Sequence, residues 1–503
     1  MSVELPSTPT PNPPFPIPRR ILLACIAFTI LTAIYPFARA FFRVEVDYNE
    51  GWNIYNAARV AHHYFLYPVA YGWQTVNYPM LSFAVMAALH HFTHDYLFTA
   101  RILSLLSLLG CCTLVGFIVC HLASAHKASS TAGILAGFLC LATFCTNADA
   151  YVGMDDPQLF AHFFFLLAFF LYLRDRSNFA AITASAALFV LAGSIKHNPI
   201  DFPLAVLLDL LLLNGLRGLH RTLWFAFVGI ALAALSIYLN IHFGGPCFIT
   251  EMLAPRVWTF VKVLNAIEAT IGPLLIPMVF ALIAAITMLR DPKRRIAGIL
   301  FIAALVIGSF FGGGLGVFVN TFFSCIFAMI IVLGIVSADL MQGHYPWAFR
   351  RLFNIPLRAY FVPTLFAWMI IPAIVNGIWN PIASLRQTAA SQREFDSEVA
   401  FLQQKSAPVL CESLLRCYFA GQPYVYDPFN ATRLIRFNKL DPTLVVNGLN
   451  TGTYSAIQLD TGPDAAAVET ERFAPPILAA IRRNYHPVSS GKDAILLVPN
   501  PKK

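Results

Sequence analysis

The sequence predicts a polytopic α-helical membrane protein that ends in a small α/β unit, and three observations carry that prediction. The 503 residues are 58% hydrophobic and only 12% charged, against about 25% charged in an ordinary soluble protein. Apolar runs of roughly the length that crosses a bilayer recur from residue 21 to residue 378. After Trp379 the character changes, and short strand-like runs alternate with amphipathic helical ones.

Eleven runs read as spans: 21–38, 101–121, 131–148, 158–173, 179–195, 199–214, 222–241, 272–289, 296–311, 317–337 and 359–378. Some are short, and 179–195 with 199–214 is open to a second reading as one broken element. The net charge of +8 would point to nucleic acid in a soluble chain, but the basic residues sit mostly in short loops between apolar runs. With the N-terminus in the cytoplasm, the inner segments contain Arg19, Arg20, Lys127, Arg174, Arg176, Arg217, Arg221, Arg290, Lys293, Arg294, Arg295, Arg350, Arg351 and Arg358. The outer ones before the tail contain only Arg39, Arg43, Arg59, Lys196, Arg256 and Lys262. That bias sets the orientation. An odd number of spans then places residues 379–503 outside.

Residues 1–20, with seven prolines and no apolar face, read as a disordered cytoplasmic tail. No small-residue cleavage site follows the first span, so that span reads as an uncleaved anchor. Most of the ten cysteines lie inside apolar runs as small hydrophobes. Cys411 and Cys417 lie in the outer tail, where a disulfide is chemically permitted; a helix across them would instead hold them apart.

Three outer segments are long: 39–100, 242–271 and 379–503. In the first, NIYNAARVAHHYFLY and MLSFAVMAALHHF read as amphipathic helices lying flat at the interface, with Trp52, Tyr55, Tyr64, Tyr67 and Trp73 at headgroup depth. In the tail, SLRQTAASQREFDSEVAFLQQ, ESLLRCYFAG and PPILAAIRRNY read as helices, and PVLC, PYVYD, AIQLD and AILLV as strands. No dinucleotide fingerprint, P-loop or nucleophile elbow occurs in the sequence. GGGLG at 312–316 lies between two spans without a following Lys or Ser, and reads as a tight turn or packing feature.

Four polar clusters fall at the outer ends of the spans. Asp47 and Glu50 follow the first span directly, as solvated acids with one capping a helix that begins near Asn53, or as carboxylates able to take a proton. Asp155 and Asp156 precede Pro157, where one acid suffices to cap the next helix and the other is left over. Lys196, beside His197, runs against the basic-inside trend. It either pairs with Asp201 or holds an anion such as a phosphate. His90 and His94 have i, i+4 spacing, with His62 and His63 elsewhere in the loop, but no HExxH pattern supports a metal there. Together the clusters describe carboxylates that take a proton or orient a hydroxyl, and a cation for a phosphate.

The stretches DYNEGWNIYNAARV, LYPVAYGWQTVNYPMLSFAVMAAL, MDDPQLFAHFFFLLAFFLYL and GSIKHNPI resemble successive motifs of the polyprenyl-phosphate-sugar-dependent glycosyltransferases of the GT-C fold. The branch is the bacterial one related to protein O-mannosyltransferases and the lipid A aminoarabinose transferases. The resemblance spans essentially the whole chain. It implies a transmembrane catalytic domain over 21–378, with its first outer loop at 39–100, and an outer α/β domain over 379–503. It implies transfer of a monosaccharide, with inversion, from a polyprenyl-phosphate donor to a hydroxyl of a lipid, glycan or protein acceptor, at the outer face of a bacterial inner membrane. Many members write the first-loop motif as adjacent Asp and Glu before Gly; here Asn49 and Glu50 precede Gly51, leaving Asp47 or Glu50 as general base. Asp155 or Asp156 matches the acid of the second outer loop, which positions acceptor or metal. Lys196 and His197 match groups facing the donor phosphate. A divalent metal is compatible with the resemblance and no other cofactor is implied. A ligase using a lipid diphosphate and a secondary transporter are the alternatives.

Overall fold

All eleven apolar runs are helical in the computed structural model, which describes residues 17–123, 128–342, 357–406, 408–460, 471–491 and 494–501. Lys127, Arg350, Arg351 and residues 1–16 of the proline-rich tail lie outside the described residues. The helices are α1 (Arg19–Arg39), α2 (Asn49–Ala61), α3 (Leu81–Thr93), α4 (Tyr96–Leu122), α5 (Ser129–Asn147), α6 (Gln158–Arg174), α7 (Phe179–Ile195), α8 (Asp201–Asn214) and α9 (Leu219–Leu239). They continue with α10 (Phe248–Met252), α11 (Phe260–Ile271), α12 (Leu275–Met288), α13 (Arg295–Gly312), α14 (Phe323–Met341), α15 (Leu357–Trp368), α16 (Ile370–Val375) and α17 (Pro381–Gln403). Among the described residues, seven helical segments are long and apolar enough to cross a membrane. The rest are shorter, α8 having 14 residues. The chain is a multi-pass membrane protein.

The bundle is built around α14. All of its residues from Phe323 to Met341 are buried, as expected for a helix that is apolar all round. The polar, proline-containing Lys196–Ile200 stretch separates α7 from α8, so 179–195 and 199–214 are two helices. Residues 260–271, expected outside as part of 242–271, instead form α11 and run through a 3₁₀ turn at Gly272–Leu274 into α12. Proline is tolerated in a first turn, where its missing N–H is not needed.

Past Asn380, whose side chain caps α17 by accepting from Ala383 N, the chain adds β1 (Val409–Cys411), α18 (Leu414–Phe419), α19 (Pro428–Arg436), α20 (Thr443–Thr451), β2 (Ala456–Leu459), α21 (Pro475–Asn484), β3 (Tyr485–Ser490) and β4 (Ile495–Pro499). The four strands form one mixed sheet in the order β1-β2-β4-β3, parallel between β1 and β2 and antiparallel thereafter. Pro487 sits on edge strand β3 beside a register shift, where a residue without N–H is admissible. PYVYD is not a strand. It runs alongside the first loop, Asp427 N donating to Trp73 O at 2.8 Å, and the Asp427–Pro428 pair then starts α19, with Asp427 Oδ1 accepting from Asn430 N. Cys411 and Cys417 form a disulfide, because the first sits at the end of β1 and the second in α18, so no single helix holds them apart.

The apolar face of α2 is buried against protein, where the amphipathic pattern predicts a helix lying flat at the interface. Trp52, Tyr55 and Tyr67 are buried, and Tyr64 alone of the five aromatics is well exposed. The apolar face of α2 is covered by α18: Trp52, Ile54 and Tyr55 share a core with Leu414, Leu415 and Cys417, and Tyr55 stacks on Tyr424. Gly51 makes the approach possible. A Cβ there would lie 2.1 Å from Leu415 N and 2.5 Å from Leu414 C. The sequence shows the apolar face but not which partner covers it.

Candidate functional site

The first loop enters the site through Glu50, which is fully buried against Arg101. Arg101 Nε donates to Glu50 Oε1 at 2.8 Å and Nη2 to Oε2 at 2.7 Å, a two-pronged pair. Val46 N donates to Oε2 at 2.8 Å and Asp155 N to Oε1 at 3.0 Å. The guanidinium also donates to Phe42 O and, at 2.7 Å, to Val44 O. One ion pair therefore ties α4, the 42–46 segment, α2 and the second loop together. Every oxygen of Glu50 is engaged by donors.

Asp47 is less committed. Its Oδ1 accepts from Asn49 N at 3.0 Å and its carbonyl from Glu50 N, just ahead of α2, which starts at Asn49, four residues before the expected start. It is half-buried. Burial pushes its carboxyl above the ordinary range, a hydrogen bond from the Asn49 backbone and the charge of Arg472 pull it down, and Asp156 and Glu50 push it further up.

Asp155 and Asp156 divide their work as the Asp–Pro spacing predicts, Asp156 serving the start of α6 and Asp155 being left over. Asp156 Oδ1 accepts from Gln158 N at 2.7 Å at the start of α6, and it pairs with Lys196 Nζ at 3.4 Å. Asp155 is 3% exposed, its Oδ2 has no partner, and burial with the neighbouring Glu50 and Asp156 charges drives its pKa well up. Lys196 pairs with Asp156 and not with Asp201, whose Oδ1 accepts from Phe202 N. The Lys196 ammonium also lies 3.7 Å from the centre of the Tyr78 ring. His197 is exposed.

Lys196 and His197 line a cavity of about 360 Å³ together with Arg256, Arg433, Asn77 and Tyr78. Glu251 is the one carboxylate among the lining residues; its Oε1 accepts from Tyr71 N at 2.6 Å. Trp258, Phe310 and Val317 form an apolar flank, with Trp258 and Phe310 exposed. A narrower recess continues past Arg256 and Tyr78 to Tyr48, Asn49 and Trp52 of the first loop. The cationic pocket thus opens onto the segment that carries Asp47.

Two cations of this cavity were not singled out from the sequence. Arg256 lies in a loop braced by Leu315 N donating to Val257 O at 2.9 Å and Thr259 N to Gly313 O at 3.0 Å. GGGLG is therefore the packing turn it reads as, and Gly316, at φ 70°, brings its backbone onto the Phe429 ring, where a Cβ would lie 2.2 Å from the ring. Arg433 comes from α19. It is 2% exposed, its Nε and Nη2 have no hydrogen-bond partner, and burial and Arg256 draw it down to about 10, which leaves it cationic at neutral pH. The signal was the Asp427–Pro428 helix start, obscured when PYVYD is read as a strand. Trp52 Nε1 donates to Asp427 Oδ2 at 2.8 Å, locking α19 against α2.

His90 stacks on Tyr96 with ring centres 3.7 Å apart, and His94 ends α3 with a left-handed backbone. Among the described residues no group of three or more His, Cys, Asp or Glu is placed to hold a metal ion. At the other end of the bundle, Asp209 is buried between Arg176, at 3.3 Å, and Arg295, at 3.2 Å. That end gathers the loops rich in basic residues.

No protein-family model matches the chain, and no curated protein matches it in sequence. In shape it is similar to a class of known structures, and the chain has the GT-C fold. ArnT from Cupriavidus metallidurans bound to undecaprenyl phosphate superposes with a TM-score of 0.59 at 13% identity, over 95% of this chain and 99% of that one. The oligosaccharyltransferase of Archaeoglobus fulgidus superposes with a TM-score of 0.52 at 11% identity, over 94% of this chain and 72% of that one. AglB from the same organism, in complex with an inhibitory peptide and a dolichol-phosphate, gives 0.50 at 12% identity, over 94% of this chain and 73% of that one.

Proposed function

We propose that the chain is a membrane glycosyltransferase that moves a sugar from a polyprenyl-phosphate donor to an acceptor hydroxyl, with inversion. The observation that carries this reading is the cavity where Lys196, Arg256 and Arg433 converge beside an exposed aromatic flank. An amphiphilic anion fits such a place: a phosphate on the cations, and a long apolar tail leaving over Trp258 and Phe310 into lipid. Unpartnered guanidinium N–H groups in a buried site are strong phosphate donors. The bound undecaprenyl phosphate and dolichol-phosphate of the similar structures belong to the same ligand class.

In this reading Asp47 is the general base. Of Asp47 and Glu50 it is the one with a carboxylate oxygen to spare, since Glu50 is spent on Arg101. Asp47 takes the acceptor proton as the new glycosidic bond forms. The cations stabilise the charge that builds on the departing phosphate, an interaction worth more in a site shielded from water. Asp156 holds Lys196 in place, and the Asp155 backbone ties the second loop to Glu50 and Asn53. The end bearing Arg174, Arg176 and Arg295 faces the cytoplasm, so the site and the α/β unit over 379–503 face outward, at the inner membrane of a bacterium. A transporter reading finds less support, because Asp209, the acid inside a span, is paired with two arginines.

The test is incubation of the purified chain with a radiolabelled polyprenyl-phosphate sugar and a membrane extract. Label should move to an acceptor fraction, and Asp47→Asn should stop the transfer while polyprenyl phosphate still binds. Label that stays on the donor lipid with every fraction refutes the reading.

A further inference from the structure

A cavity of about 460 Å³ opens at the basic end of the bundle. It lies among the end of α4, the turn between α6 and α7, the start of α9 and the turn before α13. Charge dominates its wall: Arg174, Arg176, Arg221 and Lys293 stand beside His121, and Asp175 is the one carboxylate among the described residues that line it.

The cations do different work. Arg176 is a clasp: its Nη1 donates to Asp209 Oδ2 at 3.3 Å and to Pro292 O at 3.2 Å, and its Nη2 to Lys293 O at 2.6 Å. It pins the 174–177 turn to the 291–293 turn and so fixes the mouth of the cavity. Arg174 is exposed and Arg221 is half-buried, and neither makes a hydrogen bond or ion pair among the described residues. Of the Arg221 nitrogens only Nε is buried without a partner, so the ends of the guanidinium stay open to the cavity. Asp175 does not answer them. Its Oδ1 accepts from Ser177 N at 3.1 Å and from Ser177 Oγ at 2.7 Å, within its own turn.

This wall selects a ligand. A cation would be repelled by it, and a neutral ligand would leave two guanidinium forks unused. Each fork presents paired N–H groups that match two oxygens of a phosphate. No Phe, Tyr or Trp is among the described lining residues to stack a nucleotide base. The surroundings point to the source of the phosphate. Phe179, two residues past Ser177, lies 6.3 Å from Trp224 and 5.7 Å from His220 between ring centres. Phe179 and Trp224 are exposed, as are Leu212 and Leu223 on the adjoining helices. Exposed aromatics next to basic side chains mark headgroup depth, and basic pockets between the ends of spanning helices take anionic lipid headgroups.

We propose that this cavity binds the phosphate headgroup of an anionic phospholipid in the leaflet at the basic end of the bundle, with Arg174 and Arg221 as the phosphate donors. The site stands whether or not the chain transfers a sugar.

The experiment titrates the purified full chain in detergent with phosphatidylglycerol or phosphatidylcholine and reads each bound lipid by native mass spectrometry. Glycerol phosphate and inorganic phosphate are titrated in parallel by thermal shift. The first phosphatidylglycerol should bind about tenfold tighter, or more, than the first phosphatidylcholine. Arg174→Gln and Arg221→Gln should each weaken that first site about fivefold, roughly the worth of one basic residue beside an anionic headgroup. Together they should abolish the preference, with the lipid-free melting temperature unchanged, since neither side chain braces the fold. Arg19→Gln with Arg20→Gln removes the same charge from the start of α1, outside the cavity. That pair should leave the preference within about twofold, because salt screens charges that do not touch the lipid. Equal binding of the two lipids by the wild-type chain overturns the proposal. So does a preference that the Arg174/Arg221 double variant keeps, or one that the α1 pair erases as fully, which is diffuse attraction to basic loops and not a site. Stabilisation by glycerol phosphate or inorganic phosphate that phosphatidylglycerol fails to displace assigns the cavity to a soluble phosphate and overturns the lipid assignment.

Discussion

Asp47 and Glu50 are three residues apart in the sequence and equally acidic on paper, yet their surroundings assign them different work. Glu50 accepts four hydrogen bonds from Arg101 and two backbone amides; Asp47 accepts one on its carboxylate. Asp47→Asn is therefore expected to lower turnover by about 10²–10⁴-fold, the usual worth of a general base, with donor affinity unchanged. The pKa direction gives a second check. Burial raises the Asp47 pKa, so the basic form is present only above that raised value. Turnover should fall as pH drops through it, and the acid limb of the pH–rate profile should lie above the ordinary carboxylate range. Arg433→Ala should weaken polyprenyl phosphate binding about 10- to 100-fold, the worth of one or two charge-assisted hydrogen bonds, measurable by titration in nanodiscs. Asp155, buried and lining neither cavity of the site, should tolerate Asp155→Asn with turnover close to wild type.

At the scale of elements, α2 is held by two devices that fail differently. The buried Glu50–Arg101 pair fixes its first turn to α4, and removing one partner of such a pair typically costs about 3–5 kcal/mol because the other charge stays buried. Glu50→Gln should therefore lower the melting temperature as well as the rate, which separates it from Asp47→Asn. Gly51 fixes the contact of α2 with α18. In Gly51→Ala the new methyl meets backbone atoms of Leu414 and Leu415, which cannot swing aside as a side chain would. A loss of about 1–3 kcal/mol, the range for overpacking, should appear in thermal unfolding. The helical runs and three of the four strands are legible in the sequence because they rest on local periodicity. β3 and α19 are not, since Pro487 disguises an edge strand and the Tyr and Val of PYVYD mimic a strand where the chain only runs beside the first loop.

Over the whole molecule, the site joins parts far apart in sequence: Asp47 from the first loop, Lys196 from between α7 and α8, Arg256 from before α11 and Arg433 from the α/β unit. The positions of Asp47, Lys196 and His197 are legible because charge is rare in so apolar a chain and stands out where it occurs. Arg433 is not, because an arginine in a soluble-looking tail is unremarkable until the tail is folded back onto the bundle. By itself the sequence determined the apolar runs, the charge bias between their ends and the acids at the exit of the first, since composition and local spacing are properties of the chain alone. Only the tertiary structure decided that Glu50 is consumed by Arg101, that Lys196 answers Asp156 and not Asp201, and that the apolar face of α2 is covered by α18. Those outcomes depend on which surfaces meet, and hydrogen bonds and ion pairs act over a few ångströms between residues that the sequence holds tens to hundreds of positions apart.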